Sequence, residues 1–240
     1  MLDNRRLFNL ASSGYDFITS QGIWRDHVRE MATLLSVPSP RRIIDLGCGP
    51  GISAFVLAEL FPEAEVIGID ISESMIARSN RHHSRHFSHL SNLHFLHTDI
   101  YDLPFAPRSF DLATGHSFLY LLPDQQAALY AIEKVLTASG QLILLEPNAH
   151  GSLRSAAWRA PYRRFPNAPL ASARFALSMV LWRIVSGRRG RMTAATLREL
   201  FTAAGFRNIH IATTLNGLGL HVSGKLFPSA KPLDQSCSCA

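Results

Sequence analysis

The segment Asp45-Leu46-Gly47-Cys48-Gly49-Pro50-Gly51 holds the residues most open to chemistry in this chain. Glycine at every second position lets the backbone turn sharply and approach a ligand with no Cβ in the way. A turn of this kind between an apolar strand and a helix points in general to a nucleotide-like ligand. Two features narrow the choice. The spacing is G-x-G-x-G where a dinucleotide turn has G-x-G-x-x-G, and a carboxylate, Asp45, stands immediately ahead of the glycines. A carboxylate in that place repels a pyrophosphate and attracts an ammonium group. A second acid, Asp70, closes the next strand, where it suits acceptance from the two hydroxyls of a ribose. Together the two acids ask for an adenosine joined to a zwitterionic, amine-bearing tail, a description that S-adenosylmethionine meets.

Other residues are candidates for the reaction itself. His116 follows the fourth strand at its C-terminal edge, where open α/β sheets hold their ligands. It is either a general base that takes a proton from an acidic acceptor or a histidine that packs and positions. Tyr120 and Glu146 occupy similar rim positions, and Tyr15, within Gly14-Tyr15-Asp16, is placed to fold over the ligand from the N-terminal side. His82, His83, His86 and His89 have spacings that could set two or three on one helix face around a metal. No carboxylate or cysteine joins them, so a solvated link between a helix and the third strand is the preferred reading, and no metal site is expected. Cys237-x-Cys239 is too close-spaced and too terminal for zinc, and Cys48 reads as a small residue tolerated beside the ligand.

The elements that must position these residues alternate. A helix carrying Trp24, Val28, Met31, Leu34 and Leu35 at helical spacing precedes strands at 42–46, 65–70, 93–97, 110–115 and 141–146. Helices at 53–60, from Ser72 to about Asn80, and at 125–136 lie between them. Strands with nearly continuous apolar runs, such as Leu142 to Leu145, are those of a parallel sheet covered on both faces. A helix at 196–204 and two strands at 208–213 and about 221–226, separated by Asn216-Gly217-Leu218-Gly219, close the pattern as an antiparallel hairpin. The expected architecture is α/β: a Rossmann-like doubly wound sheet, mostly parallel, with an antiparallel C-terminal hairpin and helices on both faces. Residues 1–40 read as an N-terminal helical lid, 41–227 as the main domain with an Arg-rich insertion at about 148–192, and 228–240 as a flexible tail.

Residues 41–146 resemble a class I S-adenosylmethionine-dependent methyltransferase of the small-molecule type. The residues that carry the likeness are the glycine segment above, then Gly68-Ile69-Asp70-Ile71-Ser72, His97-Thr98-Asp99-Ile100, Ser109-Phe110-Asp111-Leu112 and Gly140 to Pro147, in that order. The resemblance implies that Asp45 and the backbone of Gly47, Cys48 and Gly49, in a loop completed by Gly51, face the methionine part of the cofactor, and Asp70 the ribose. It implies that Ile71 packs on the adenine, that Asp99 accepts from its amino group while the Ile100 amide donates to the ring, and that Gly115 and His116 border the sulfonium. The implied activity is methyl transfer by in-line displacement to a small acceptor. A protein or RNA methyltransferase with the same cofactor, or a cofactor-binding module without catalysis, are the alternatives. The Asn/Asp-Pro-Pro-Tyr/Phe run typical of the former after strand four is replaced by Thr114-Gly115-His116-Ser117.

Composition sets the remaining bounds. A chain of 240 residues, 47% hydrophobic and 18% charged, has the apolar material for one large core, which excludes wholesale disorder. No apolar run reaches the ~18 residues that a membrane span needs, and three cysteines make no disulfide framework, so a cytoplasmic setting is expected. Of 24 basic residues only three are lysines, and ten arginines with no acid fall between Pro147 and Arg198, which places the net charge of +6 in the insertion. That segment, rich in apolar residues and tryptophan, could cap a lipophilic acceptor pocket, rest on an anionic membrane surface as a peripheral contact, or simply pack on the sheet. Nucleic acid is the less favoured partner, because the basic stretch lacks an aromatic platform. The oligomeric state stays open.

Overall fold

The computed structural model describes residues 22–36, 39–154, 169–187 and 190–227. Tyr15, most of the expected lid and insertion residues 155–168 lie outside them, as do Arg188, Arg189 and the C-terminal segment with its two cysteines. Seven strands form one sheet: β1 (Arg42–Leu46), β2 (Glu65–Asp70), β3 (Leu93–His97), β4 (Phe110–His116), β5 (Leu136–Pro147), β6 (Arg207–Thr214) and β7 (Gly219–Lys225). Their order across the sheet is β3-β2-β1-β4-β5-β7-β6. The first five run parallel, and β7 is antiparallel to both β5 and β6. The helices are α1 (Gly22–Ala32), α2 (Ile52–Leu60), α3 (Glu73–His86), α4 (Gln125–Val135), α5 (Pro169–Gly187) and α6 (Ala194–Ala203). The expected architecture and its antiparallel ending are therefore the observed ones. The chain reverses its direction of winding between β1 and β4, and the C-terminal ends of strands at such a switch point leave a crevice.

The central strands are buried on both faces because helices cover both. Ile44, Leu46, Ala113, Leu142 and Leu144 pack beneath α4 and α6, whereas Ile43, Leu112 and Ile143 pack beneath α1 and α2. Helix α2 shows what such a position demands: Ser53 to Ala58 are all buried, so apolar residues line every side of it. Helix α1 packs on it through Val28 and Met31, and Arg25 donates twice to the Glu59 carboxylate at 2.9 and 2.8 Å. A third cluster, Trp24, Leu145, Met179, Trp182, Leu215 and Leu218, ties α1 and α5 to the rim of β5 and to the turn before β7.

Two elements outrun their sequence signals. Helix α3 starts as expected, with the Ser72 hydroxyl accepting from the Met75 amide, but continues to His86. His82, His83 and His86 thus lie on the helix, and His83 Nε2 is 3.0 Å from the Leu90 carbonyl. Strand β5 begins at Leu136, paired with Phe110, and rejoins β4 at Gln141 opposite Leu112 after an irregular Thr137 to Gly140. Among the described residues no three metal-ligating side chains cluster, and no helix is long and apolar enough to cross a membrane.

Candidate active site

The switch-point crevice holds a cavity of about 300 Å³, at the lower end of small-ligand sites. Gly47 and Gly49 of the β1–α2 loop, Asp70 and Ile71 after β2, and Asp99, Ile100 and Tyr101 after β3 contribute to its wall. Ser117, Phe118, Leu121 and Leu122 close it from the β4 side. Most of that wall is apolar. Ile71 keeps 40% of its surface exposed there, an apolar platform ready for a flat ring. Tyr101 joins two of the bordering loops: its hydroxyl donates to the Asp124 carbonyl at 3.0 Å and accepts from the Asp124 amide at 3.1 Å.

Asp70 organises the polar side. One carboxylate oxygen accepts from the Gly49 amide at 2.9 Å and the other from the Ser72 amide at 2.8 Å. Burial raises its pKa while those two amides hold it down. The Gly49 N–H, a donor that a phosphate-binding loop turns toward its ligand, is thus already engaged by a carboxylate. This arrangement disfavours a pyrophosphate, and it leaves the outer lone pairs of Asp70 for hydroxyl donors.

Asp45 stands one layer deeper. Sequence reasoning set it against the ligand, but it is fully buried, and it borders no cavity among the described residues. Its oxygens accept from the hydroxyls of Ser53 and, at 3.0 Å, of Thr114. Burial pushes its pKa up to about 7, against the pull of those hydroxyls. Its place under the loop pins β1, β4 and the first turn of α2 together, so its effect on a ligand passes through the loop.

The wall opposite Asp70 depends on Glu146. This carboxyl is fully buried and accepts from the amides of Phe118, Leu119 and Tyr120 at 3.3, 3.0 and 3.2 Å. Burial raises its pKa to about 8, opposed by the three amides. Glu146 therefore shapes the segment after β4, and Tyr120 is a buried member of that segment, outside both cavity walls. Phe118 fills the space that two glycines leave. A Cβ on Gly47 would lie 2.8 Å from the Phe118 Cβ, and one on Gly115 only 2.6 Å from its ring. The first could not form without shifting Phe118 at its Cβ, nor the second without displacing its ring.

A second, smaller cavity of about 40 Å³ lies across Gly47 from the first, lined by Trp24, Val28, Gly47, Cys48, Pro50, Ile52, Ser53 and His116. His116 is half-buried as a residue, yet both of its ring nitrogens are shielded and without a partner among the described residues. Burial, with smaller contributions from His221 and His27, lowers its pKa to about 3.

The structure thus brings Gly47, Gly49, Asp70, Ile71, Asp99 and Ile100 to one cavity, and Cys48 and His116 to its neighbour. Asp45, Gly51, Gly115, Tyr120 and Glu146 support those walls from behind. Sequence reasoning missed Ser117, Phe118, Tyr101 and Leu121–Leu122. Only their position just after strand ends signals them, because no motif marks that side of the crevice.

A family model described as "Methyltransferase domain" matches residues 39–171. Among curated relatives, a demethylmenaquinone methyltransferase of Listeria monocytogenes is 27% identical over 223 residues, covering 88% of this chain and 90% of that protein. A malonyl-[acyl-carrier protein] O-methyltransferase of Legionella pneumophila is 32% identical over 126 residues, 51% of this chain and 42% of that protein. A trans-aconitate 2-methyltransferase of Variovorax paradoxus is 30% identical over 139 residues, 56% of this chain and 51% of that protein. The chain therefore spans about half the length, or less, of these two relatives. Among solved structures, a SAM-dependent methyltransferase of Aquifex aeolicus matches with a TM-score of 0.61 at 12% identity, over 83% of this chain and 89% of that one. Human N-acetylserotonin methyltransferase, solved in complex with SAM, matches with a TM-score of 0.61 at 17% identity, over 88% of this chain and 55% of that one. At such identities the structural likeness speaks for the fold alone.

Proposed function

The chain belongs to the class I S-adenosylmethionine-dependent methyltransferases, and from that premise we propose that it methylates a small, hydrophobic acceptor. The observation that carries the cofactor's placement is the pairing of Asp70 with exposed Ile71 in an apolar cavity closed at one end by Asp99. Asp70 would hold the ribose hydroxyls, Ile71 the adenine face, and Asp99 with the Ile100 amide the adenine edge. Gly47 and Gly49 would flank the methionine part, with Asp45 fixing their loop from below. Bound there, S-adenosylmethionine supplies a methyl group on a sulfonium, already activated for displacement.

The chain's own residues then have three tasks: to align the acceptor, to exclude water, and to place a proton where the acceptor releases one. Ser117 borders the first cavity, and its hydroxyl accepts from the Trp182 indole at 3.1 Å. His116, the residue before it, lines the second cavity. Support for an apolar acceptor comes from the match to a demethylmenaquinone enzyme over 88% of this chain and 90% of that protein. The N-terminal helical segment serves as the lid in this reading, supported by Trp24 at the wall of the second cavity. Peripheral contact with a membrane through the insertion belongs to the same reading. Its support is the exposed stripe Leu177, Val180 and Ile184 along α5, within a segment rich in arginine and free of acids.

The test is partition of label. Purified enzyme, a cell extract and methyl-labelled cofactor should yield label in the organic-soluble small molecules. Label in protein or RNA, or none above a no-enzyme control, would overturn the proposal.

A further inference from the structure

The second cavity has polar groups that the fold leaves unused. Both His116 ring nitrogens and the Trp24 indole N–H are buried with no hydrogen-bond partner among the described residues, and both residues line this space. Burying such groups without partners is costly, so a polar guest is the expected complement. At about 40 Å³ the space admits one or two water-sized groups, which is the head of a molecule and not its body. Its position is informative. Gly47 belongs to the walls of both cavities, and the successive residues His116 and Ser117 face one cavity each. A group seated beside His116 therefore lies across a single glycine from the loop that flanks the cofactor.

Resting on the methyltransferase reading above, we infer that this cavity receives the reacting end of the acceptor, and that this end is a neutral hydroxyl of the phenol or enol type, not a carboxylate or phosphate. The chemistry of the wall selects the class. Among the described lining residues there is no arginine or lysine to balance an anion. The titratable groups facing His116 are His221, two strands across in the same register row through Leu145, and His27 on α1, which itself contacts Glu30 at 2.9 Å. Behind the loop lies Asp45, joined to the cavity wall through Ser53. An anionic head would find no arginine or lysine among the described lining residues, whereas a hydroxyl can donate to a His116 nitrogen and accept from the Trp24 N–H. The balance of the transfer agrees. The acceptor oxygen gains the methyl carbon and loses its proton to His116, the electron pair of the broken carbon–sulfur bond stays on sulfur, and the positive charge passes from sulfonium to imidazolium.

The probes are phenol and benzoate, aromatic rings that carry a neutral hydroxyl and a carboxylate, titrated into the full chain saturated with S-adenosylhomocysteine, with benzamide as the uncharged match of benzoate in size. The readouts are the Trp24 indole resonance, assigned with Trp24→Phe, and the His116 ring resonances. Phenol should shift both in a saturable way, and benzoate should bind at least tenfold more weakly. His116→Leu should weaken the phenol response at Trp24 at least tenfold, and Trp24→Phe should weaken the response at His116, each in protein whose circular dichroism matches wild type. A phenol response absent or insensitive to both variants, or tighter binding of benzoate, overturns the inference and leaves the cofactor reading intact. Loss of S-adenosylhomocysteine binding by the wild-type protein would instead strike the reading on which it rests.

Discussion

Substituting Gly115 by alanine tests the claim that glycine is required there only to seat Phe118. The added Cβ would lie 2.6 Å from Cδ1 and from Cε1 of the Phe118 ring and 3.0 Å from a Leu144 methyl. Overpacking of this kind destabilises by about 1–3 kcal/mol, which lowers Tm by about 2–12 °C at this chain length. Phe118→Ala alone opens space at a residue 7% exposed and should destabilise by about 3–5 kcal/mol. The double variant is decisive. With the ring gone the new methyl has room, so Gly115→Ala should add almost nothing to Phe118→Ala, and the coupling should nearly equal the whole effect of the single glycine change. Gly47 provides the contrast: its added Cβ would lie 2.8 Å from the Phe118 Cβ, an atom that Phe118→Ala keeps, and its φ is +62°. The clash and about 1–2 kcal/mol of left-handed backbone strain should therefore both survive in the Gly47→Ala/Phe118→Ala pair. Urea denaturation of the six proteins measures all of this. Additive effects of Gly115→Ala and Phe118→Ala would refute the reasoning.

Further outcomes follow from the same geometry. Glu146→Ala leaves three buried amides without their acceptor and should destabilise by at least about 3 kcal/mol and weaken cofactor binding. Glu146→Gln keeps one acceptor oxygen and should be milder in both, measured by denaturation and calorimetry; equal damage from both changes would point to a role for the proton. Trp182→Phe removes the donor to Ser117 and should raise KM for the acceptor more than it changes cofactor affinity. Stability should fall above neutral pH. Burial raises Asp45 to about 7 and Glu146 to about 8 from 3.8 and 4.5, so the folded state keeps protons that the unfolded chain has released, and stability declines as pH climbs toward 8. His116 and His221, lowered by burial to about 3 and about 4 from 6.5, act in the opposite sense, but only below pH 6.5. From pH 6.5 to 8.5 the carboxyls alone remain, and the loss is on the order of 2 kcal/mol, or about 4–8 °C in Tm. Calorimetry showing a rise would contradict it.

The first three strands were legible to the residue: β1 and β2 carry the apolar runs Ile43-Ile44 and Val66-Ile67 that burial on both faces demands, and the partly exposed edge strand β3 is bounded by polar Asn92 and Thr98. Helix α3 outran its signal. Beyond Ser79 no residue of α3 is buried, so Asn80 to His86 carry no apolar periodicity, and the helix continues on a solvated face. The start of β5 was hidden because Thr137-Ala138-Ser139-Gly140 has the composition of a loop, and it lies in the irregular part of the ladder. The common cavity wall of Gly47, Gly49 and Asp70 was anticipated because a sharp strand-to-helix turn imposes glycine and a strand-end acid stands out; Asp99 was anticipated through the family resemblance alone. Asp45 was read as a ligand group because spacing shows order along the chain but not depth. The hydroxyls of Ser53 and Thr114, 8 and 69 residues away in sequence, draw it inward. The β4 side of the crevice, from Ser117 to Leu122, was silent. Apolar lining residues after a strand look like any other buried turn.

Titration calorimetry of S-adenosylhomocysteine into wild type and Asp70→Asn tests the account most directly. Asp70 accepts from the Gly49 and Ser72 amides on one side, and in the proposed reading it would receive the ribose on the other. Replacing one of its oxygens with an NH₂ group turns an acceptor into a donor facing a donor. Charged-group hydrogen bonds of about 1.5–3 kcal/mol correspond to an affinity loss of about ten- to a hundredfold. That loss, in a variant whose circular dichroism matches wild type, is the expected result. Unchanged affinity in Asp70→Asn would contradict the assignment of this crevice to the adenosyl donor.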